Sequence, residues 1–364
     1  MNISELPTPA ALLDLKIVEN NLQRAVGVCR SHGVAYRPHI KTHKMPALAR
    51  KQVEAGAVGI TCAKASEAEV MASAGVQDIF IANCLVDRQR FERLMRLSRE
   101  HLIKVGVDSF EAATAMSEFF AANGRAIDAV LEIDTGHHRC GVLPEAAPEL
   151  AMRLSALPGI KLKGIFTHEG HVYGAGASEI SAKAKAAGEQ MVRVATELRG
   201  KGIAIEVVSV GSSPAGDATC QVKGITEHRP GTNIFNDCTQ VHLGSCEWSD
   251  CALSYLCTVV SRPAADRAMI DGGSKTFSSD KLTDWAGGLG AVKGFPGAQL
   301  TKASEEHGFL TLTDEASKRL AIGERLRVIP AHACGSINLH NRAYVVRGEE
   351  VVEEWKIEAR GCVN

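Results

Sequence analysis

Residues 34–62 run "VAYRPHIKTHKMPALARKQVEAGAVGITC". The opening "VAYRPHIK" is rich in β-branched and aromatic residues, and "AVGITCAK" (57–64) has the same character. Between them, "HKMPALARKQVEAG" places apolar residues three and four apart and stops on a glycine. That is strand, helix, strand. Upstream, "IVENNLQRAVGVCRSHG" (17–33) is another amphipathic helix with a His-Gly stop. Downstream the alternation continues with a helix over 66–74, strand "DIFIAN", a helix over 87–100, strand "LIKVGV" and a helix over 109–123. Then come strand "AIDAVLEID", a helix over 145–156, strand "IKLKGIFTH", a long helix over 178–201, strand "IAIEVVSVG", a short helix after Pro214, and "ITEHRPGTNIF". Alternating units of this kind make a parallel sheet. Eight strand candidates favour an α/β fold of the closed (β/α)8 TIM type over an open doubly wound sheet.

After residue 250 the pattern changes to short alternating runs: "LSYLCTVVSR", "RAMIDGGS", "HGFLTLT", "LRVIPAHAC" and "AYVVRGEEVVEEWKIEAR". Glycine, proline and aspartate punctuate them, as expected of a small, mostly-β domain. The expected division is a barrel over 16–245 and a β-domain over 246–364. The strand-like "TPAALLDL" (8–15) is placed to join the second part.

Composition narrows the partners. Among 364 residues, 41 basic side chains stand against 42 acidic ones, so no global field steers the chain to nucleic acid. No stretch of about 18 apolar residues is present to span a membrane, and the start lacks the layout of a secretory signal. Eleven scattered cysteines without a CxxC pair suit a reducing cytoplasm, most of them as small core residues.

Functional groups of a (β/α)8 barrel gather at the carboxyl ends of its strands. Those ends hold Lys41 (strand 1), Cys62–Lys64, Asn83, "DTGHHRCG" (134–141), "THEGHVY" (167–173), "VGSSPAG" (210–216) and "RPGTNIFND" (229–237). Gly211, Ser212 and Ser213 after strand 7, and Gly231, Thr232 and Asn233 after strand 8, put glycine and hydroxyl residues where this fold cradles phosphate. Either loop alone would pass for a tight turn. A phosphate site facing a strand-end lysine suggests pyridoxal 5′-phosphate (PLP), with the Lys41 amine kept neutral by nearby cations: Lys44 and a protonated His39 or His43.

These stretches, with "RPHIKTHK", "GITCAKASEAEVM", "DTGHHRCGV", "HEGHVY", "SVGSSPA" and "PAHACGSINLH", resemble the fold-type III PLP enzymes, in the group of D-threonine aldolase, D-serine dehydratase and D-3-hydroxyaspartate dehydratase. The resemblance covers nearly the whole chain. It implies an alanine racemase-like barrel plus β-domain, PLP, a divalent metal (zinc, or else manganese or magnesium), a D-amino acid substrate and a homodimer. By that resemblance Lys41 attaches PLP and serves as base at Cα; His39, two residues before it, is a further candidate for orienting the cofactor. Arg139 contacts the O3′ side, and Tyr173 faces the pyridine nitrogen, where a phenol disfavours racemisation relative to chemistry at Cβ. His171 would line the substrate side as a second catalytic candidate. Gly211, Ser212, Gly231, Thr232 and Asn233 would hold the phosphate, with Asn236 as an alternative to Asn233.

His332 and Cys334 are two residues apart, so an extended backbone would turn both side chains to one face. Imidazole plus thiolate suits zinc, with water or substrate completing the shell. In the resembling group the dehydratases carry His-x-Cys here and the aldolases His-x-Asp. The expectation is therefore a lyase on D-β-hydroxy-α-amino acids, with dehydration preferred. Retro-aldol cleavage to glycine plus an aldehyde is the alternative, then a racemase or a non-enzymatic PLP-binding protein. A PLP carrier of that last type would not need the β-domain or the "HAC" pair.

Overall fold

The computed structural model describes residues 1–281 and 288–364. The chain divides into two compact units. One comprises Met1–Gln23, Thr42–Ala47 and Thr232–Gly361; the other comprises Arg24–Lys41, Leu48–Gly231 and Cys362–Asn364.

Strand β1 (Ala10–Asp14) and helix α1 (Leu15–Ser31) open the chain. The second unit is then built from β2 (Ala35–Tyr36), β3 (Ile60–Cys62), β4 (Asp78–Cys84), β5 (Leu102–Val107), β6 (Ile127–Glu132), β7 (Ile160–Phe166), β8 (Val207–Val210) and β9 (Glu227–His228). Their order is β2-β9-β8-β7-β6-β5-β4-β3, and every pair is parallel. The edges meet: Thr61 N–H donates to Pro38 O at 2.8 Å, and Val58 N–H to Tyr36 O at 2.9 Å. The sheet thus closes into the expected (β/α)8 barrel. Helices α2 (Pro46–Glu54), α3 (Ala65–Ser73), α4 (Arg88–Leu97), α5 (Phe110–Ala122), α6 (Ala147–Ser155) and α7 (Ala177–Gly200) alternate with the strands.

Side chains two apart on a strand share a face, so the inward parity of each strand builds the barrel interior in layers. The lowest layer is ionic. Arg37 Nε lies 2.6 Å from Glu227 and its Nη1 2.8 Å from Asp78, and Lys104 Nζ lies 2.9 Å from Asp78. Above it, Phe80, Val130 and Phe166 pack together, with the two rings edge to face at 5.1 Å. Arg229 lies over both rings, at 5.6 and 5.3 Å, donating to Thr167 O at 2.7 Å and to Ser209 Oγ. One step further up the same faces are Ala82, Glu132, His168 and Gly211. These layers fill the interior up to the carboxyl ends of the strands.

The first unit is a sheet with order β11-β14-β13-β12-β15-β10-β1-β16-β17, from β10 (Leu253–Ala264), β11 (Arg267–Ile270), β12 (Gly290–Val292), β13 (Ala298–Ala303), β14 (Gly308–Leu312), β15 (Arg325–Pro330), β16 (Arg342–Arg347) and β17 (Glu350–Lys356). β10 also pairs with β11, so six of its strands form a closed antiparallel barrel. β1 pairs antiparallel with β10 and parallel with β16, burying Ala10 and Leu12 against Leu6, Leu256 and Val346. Residues 232–245 belong here because Thr239 donates from N and Oγ1 to Ala331 O, at 3.2 and 2.7 Å, and Ala252 N–H to Phe235 O at 2.7 Å.

Candidate active site

A cavity of about 290 Å³ lies at the carboxyl ends of the barrel strands, in the size range of a small-molecule site. Lys41, His39, Arg139, Gly211, His168, Arg229, Glu132 and Asn83 are on its wall. Lys41 sits in a single 3-10 turn, Ile40–Thr42, beyond a strand shorter than expected. The regular strand stops at Tyr36 because Pro38 has no N–H to continue the ladder, although His39 N–H still reaches Pro230 O at 2.8 Å.

His39 accepts the Lys41 N–H at Nδ1, 3.4 Å away. Burial, followed by the charges of Lys41 and Arg229, holds its pKa well below the ordinary histidine value. His39 is thus neutral, which corrects the expectation that its positive charge tunes Lys41: an imidazolium poorly reached by solvent beside two cations is too costly. His43 is also buried and accepts Met45 N–H at Nδ1, 3.0 Å, as a structural group of the other unit.

His168 was not anticipated. Its Nδ1 donates to Gly211 O at 2.8 Å, and burial with the nearby Lys41 charge lowers its pKa to about 3. Nδ1 therefore carries the proton and Nε2 the lone pair. Glu132 was also missed. Burial, opposed by Arg139 and reinforced by Asp108, raises it to about 7. Arg229 completes the group, beside Asn83, which the strand-end reading had named. Glu132, His168 and Arg229 follow from counting in twos along the strands from a known interior residue.

Gly211 approaches Arg229 closely enough that a Cβ would lie 2.7 Å from its carbonyl oxygen. The Gly211 N–H is committed to Glu169 Oε2 at 3.1 Å, so Gly211 shapes the loop by its lack of a side chain. The two glycine loops are joined, since Gly231 N–H donates to Ser213 Oγ at 3.3 Å. Beside that join, the Ser212 hydroxyl is buried without a hydrogen-bond partner among the described residues. An orphaned hydroxyl on glycine loops, beside a cavity walled by Lys41, Arg139 and Arg229, is the donor set that an anionic cofactor requires. The residues present fit PLP.

His171 and Tyr173 lie on the 3-10 turn Gly170–Gly174, both half-buried, and neither is on the cavity wall. The His171 ring rests against Gly136, 3.6 Å from where a Cβ would be. Thr232 and Asn233 lie in the turn Thr232–Ile234, in the β unit.

Thr232 instead approaches the second candidate centre. Cys334 Sγ is 3.5 Å from Thr232 Oγ1 and 3.2 Å from Oγ1 of Thr42, the residue after Lys41 in the chain. The backbone here is not the extended run expected. His332 precedes a short helix, Ala333–Ile337, because the buried Asp237 carboxylate takes Ala333 N–H at 2.8 Å and bends the chain. The two side chains nevertheless interact. Burial disfavours the charged His332, but the Cys334 thiolate and the Asp280 carboxylate outweigh it and raise its pKa to about 11. An imidazole and a thiol suit a borderline-soft divalent metal. No group of three or more His, Cys, Asp or Glu side chains among the described residues could hold one alone, so solvent or substrate would complete the shell.

Residues 13–238 match the family model "Alanine racemase, N-terminal domain", and residues 252–346 match "Putative serine dehydratase domain". D-threonine aldolase of Arthrobacter sp. is 33% identical, over 99% of this chain and 94% of its own. D-threo-3-hydroxyaspartate dehydratase of Delftia sp. (strain HT23) is 36% identical, over 91% and 92%. The crystal structure of D-threonine aldolase from Filomicrobium marinum superposes with a TM-score of 0.92 at 31% identity, covering 99% and 98%. The chain belongs to the fold-type III PLP-dependent lyase family that joins an alanine racemase N-terminal domain to a serine dehydratase domain.

Proposed function

We propose that the chain is a PLP- and divalent-metal-dependent lyase acting on D-β-hydroxy-α-amino acids, and that it dehydrates them. When bound, PLP supplies an electron sink for the charge left at the substrate Cα. Lys41, on the cavity wall, attaches the cofactor and carries the Cα proton. Arg139 and Arg229 supply fixed positive charge there, while His39 and His168 stay neutral hydrogen-bonding groups. The Ser212 hydroxyl is assigned to the phosphate on the strength of its orphaned oxygen. His332 and Cys334 are assigned to the metal, which would supply Lewis acidity for the substrate β-oxygen. Gly231, Thr232 and Asn233 remain assigned to the phosphate end, and Tyr173 to the ring nitrogen, by family resemblance.

The observation that carries dehydration over aldol cleavage is the thiol of Cys334 beside His332, in place of the carboxylate of the aldolase pattern. Loss of the Cα proton and of the β-hydroxyl as water leads, after hydrolysis, to a 2-oxo acid and ammonia. Cleavage of the Cα–Cβ bond would instead give glycine and an aldehyde. Incubating the holoenzyme with D-serine, D-threonine and D-3-hydroxyaspartate separates the two. Ammonia with a 2-oxo acid is the expected outcome; glycine with an aldehyde would contradict dehydration while leaving the lyase intact. A cytoplasmic homodimer completes the reading, and gel filtration with light scattering checks the dimer. Among the described residues no helix is long and apolar enough to cross a membrane.

A further inference from the structure

The segment 278–280 has no role in the cavity, yet its backbone is unusual. Ser278 adopts φ 66° and ψ −174°, a region that a residue with a side chain rarely enters. Asp280 N–H then donates to Ser278 Oγ at 3.2 Å. This turn aims the Asp280 carboxylate at His332: Oδ2 lies 2.8 Å from Nδ1. The approach is possible only because residue 335 is glycine, since a Cβ there would lie 2.5 Å from Asp280 Oδ2 and 3.1 Å from Ser278 Oγ. The other nearby carboxylate is already occupied, Asp237 accepting Ala333 N–H from one oxygen and Gln240 N–H from the other.

We propose that Asp280 is the positioning residue for His332: its carboxylate accepts the Nδ1 proton, fixes the ring, and leaves the Nε2 lone pair for a divalent metal. This rests on the reading of His332 and Cys334 as metal donors. A carboxylate behind a ligating imidazole selects its tautomer and raises its basicity, and loss of such a partner weakens metal binding about 10- to 100-fold. The strained turn at Ser278 and the glycine at 335 are then two costs met for one contact.

The test uses the full chain freed of metal, with Zn²⁺ affinity measured by competition against a chelator. Co²⁺ substitution reads the sulfur ligand through the thiolate-to-cobalt charge-transfer band. Asp280→Ala should weaken Zn²⁺ binding about 10- to 100-fold, with the cobalt band retained, which shows the fold and Cys334 intact. Asp280→Asn keeps an oxygen that can accept from Nδ1 and should lose less. Gly335→Ala should reproduce the Asp280→Ala loss by displacing the carboxylate, and the double variant should be no weaker than either single one. Wild-type affinity in Asp280→Ala would overturn the proposal. Absence of Zn²⁺ binding and of the cobalt band in the wild type would instead remove the metal reading itself, and this inference with it.

Discussion

Replacing Glu132 by glutamine removes a titrating carboxyl from the wall of the barrel cavity. In the native chain burial is the largest influence on this group, and its pKa rises from 4.5 to about 7. Its side chain is 6% exposed, so solvent offers little relief. Native Glu132 therefore holds its proton more tightly than the unfolded chain does. Between pH 4.5 and 7 unfolding releases that proton, and stability falls as pH rises. At ~1.4 kcal/mol per pH unit the whole interval corresponds to about 3 kcal/mol, an upper figure for one group. Glutamine does not titrate, so Glu132→Gln should lack this fall. Urea denaturation of the cofactor-free chain, wild type and variant, at half-unit steps from pH 4.5 to 8 measures it. Any fixed cost of the substitution is the same at every pH and drops out of the comparison. The difference should move in favour of the variant by up to about 3 kcal/mol and level off above pH 7. Parallel curves across the whole range would refute the placement of a buried, unneutralised carboxyl in this wall.

Other outcomes follow from the same geometry. Arg37→Met leaves Glu227 and Asp78 without their buried guanidinium and should cost about 3–5 kcal/mol, read as a lower denaturation midpoint. Gly164→Ala would set a Cβ 2.1 Å from Val207 O, inside the β7–β8 pairing, and should cost about 3 kcal/mol or leave the chain insoluble. Treating the holoenzyme with EDTA should abolish lyase turnover, and Zn²⁺ should restore it; full activity after chelation would contradict the assignment of His332 and Cys334.

The long amphipathic helices were legible almost to the residue, as with 178–201 against the observed Ala177–Gly200, because a 3.6-residue period over six turns has no competing explanation. The strand carrying Lys41 and the last barrel strand were overestimated, since Pro38 and Pro230 lack the N–H groups that would extend them. Strands Gly290–Val292 and Ala298–Ala303 were missed because they are short and flanked by glycine and proline, with no sustained alternation. The cavity wall was legible where a motif concentrates it, at Lys41, Arg139 and Gly211. Glu132, His168 and Arg229 are single polar residues at the ends of apolar strands, and only the closure of the barrel brings them to one cavity. The extended backbone expected at "HAC" failed because Asp237, distant in sequence, starts a helix there.

The central claim is that one lysine, at the mouth of the barrel, holds the cofactor. Borohydride reduction of the purified holoenzyme fixes PLP on its lysine, and digestion with mass spectrometry locates it. The account predicts a phosphopyridoxyl group on Lys41, and its loss in Lys41→Ala. A modified lysine elsewhere, or none in protein reconstituted with PLP, would contradict it.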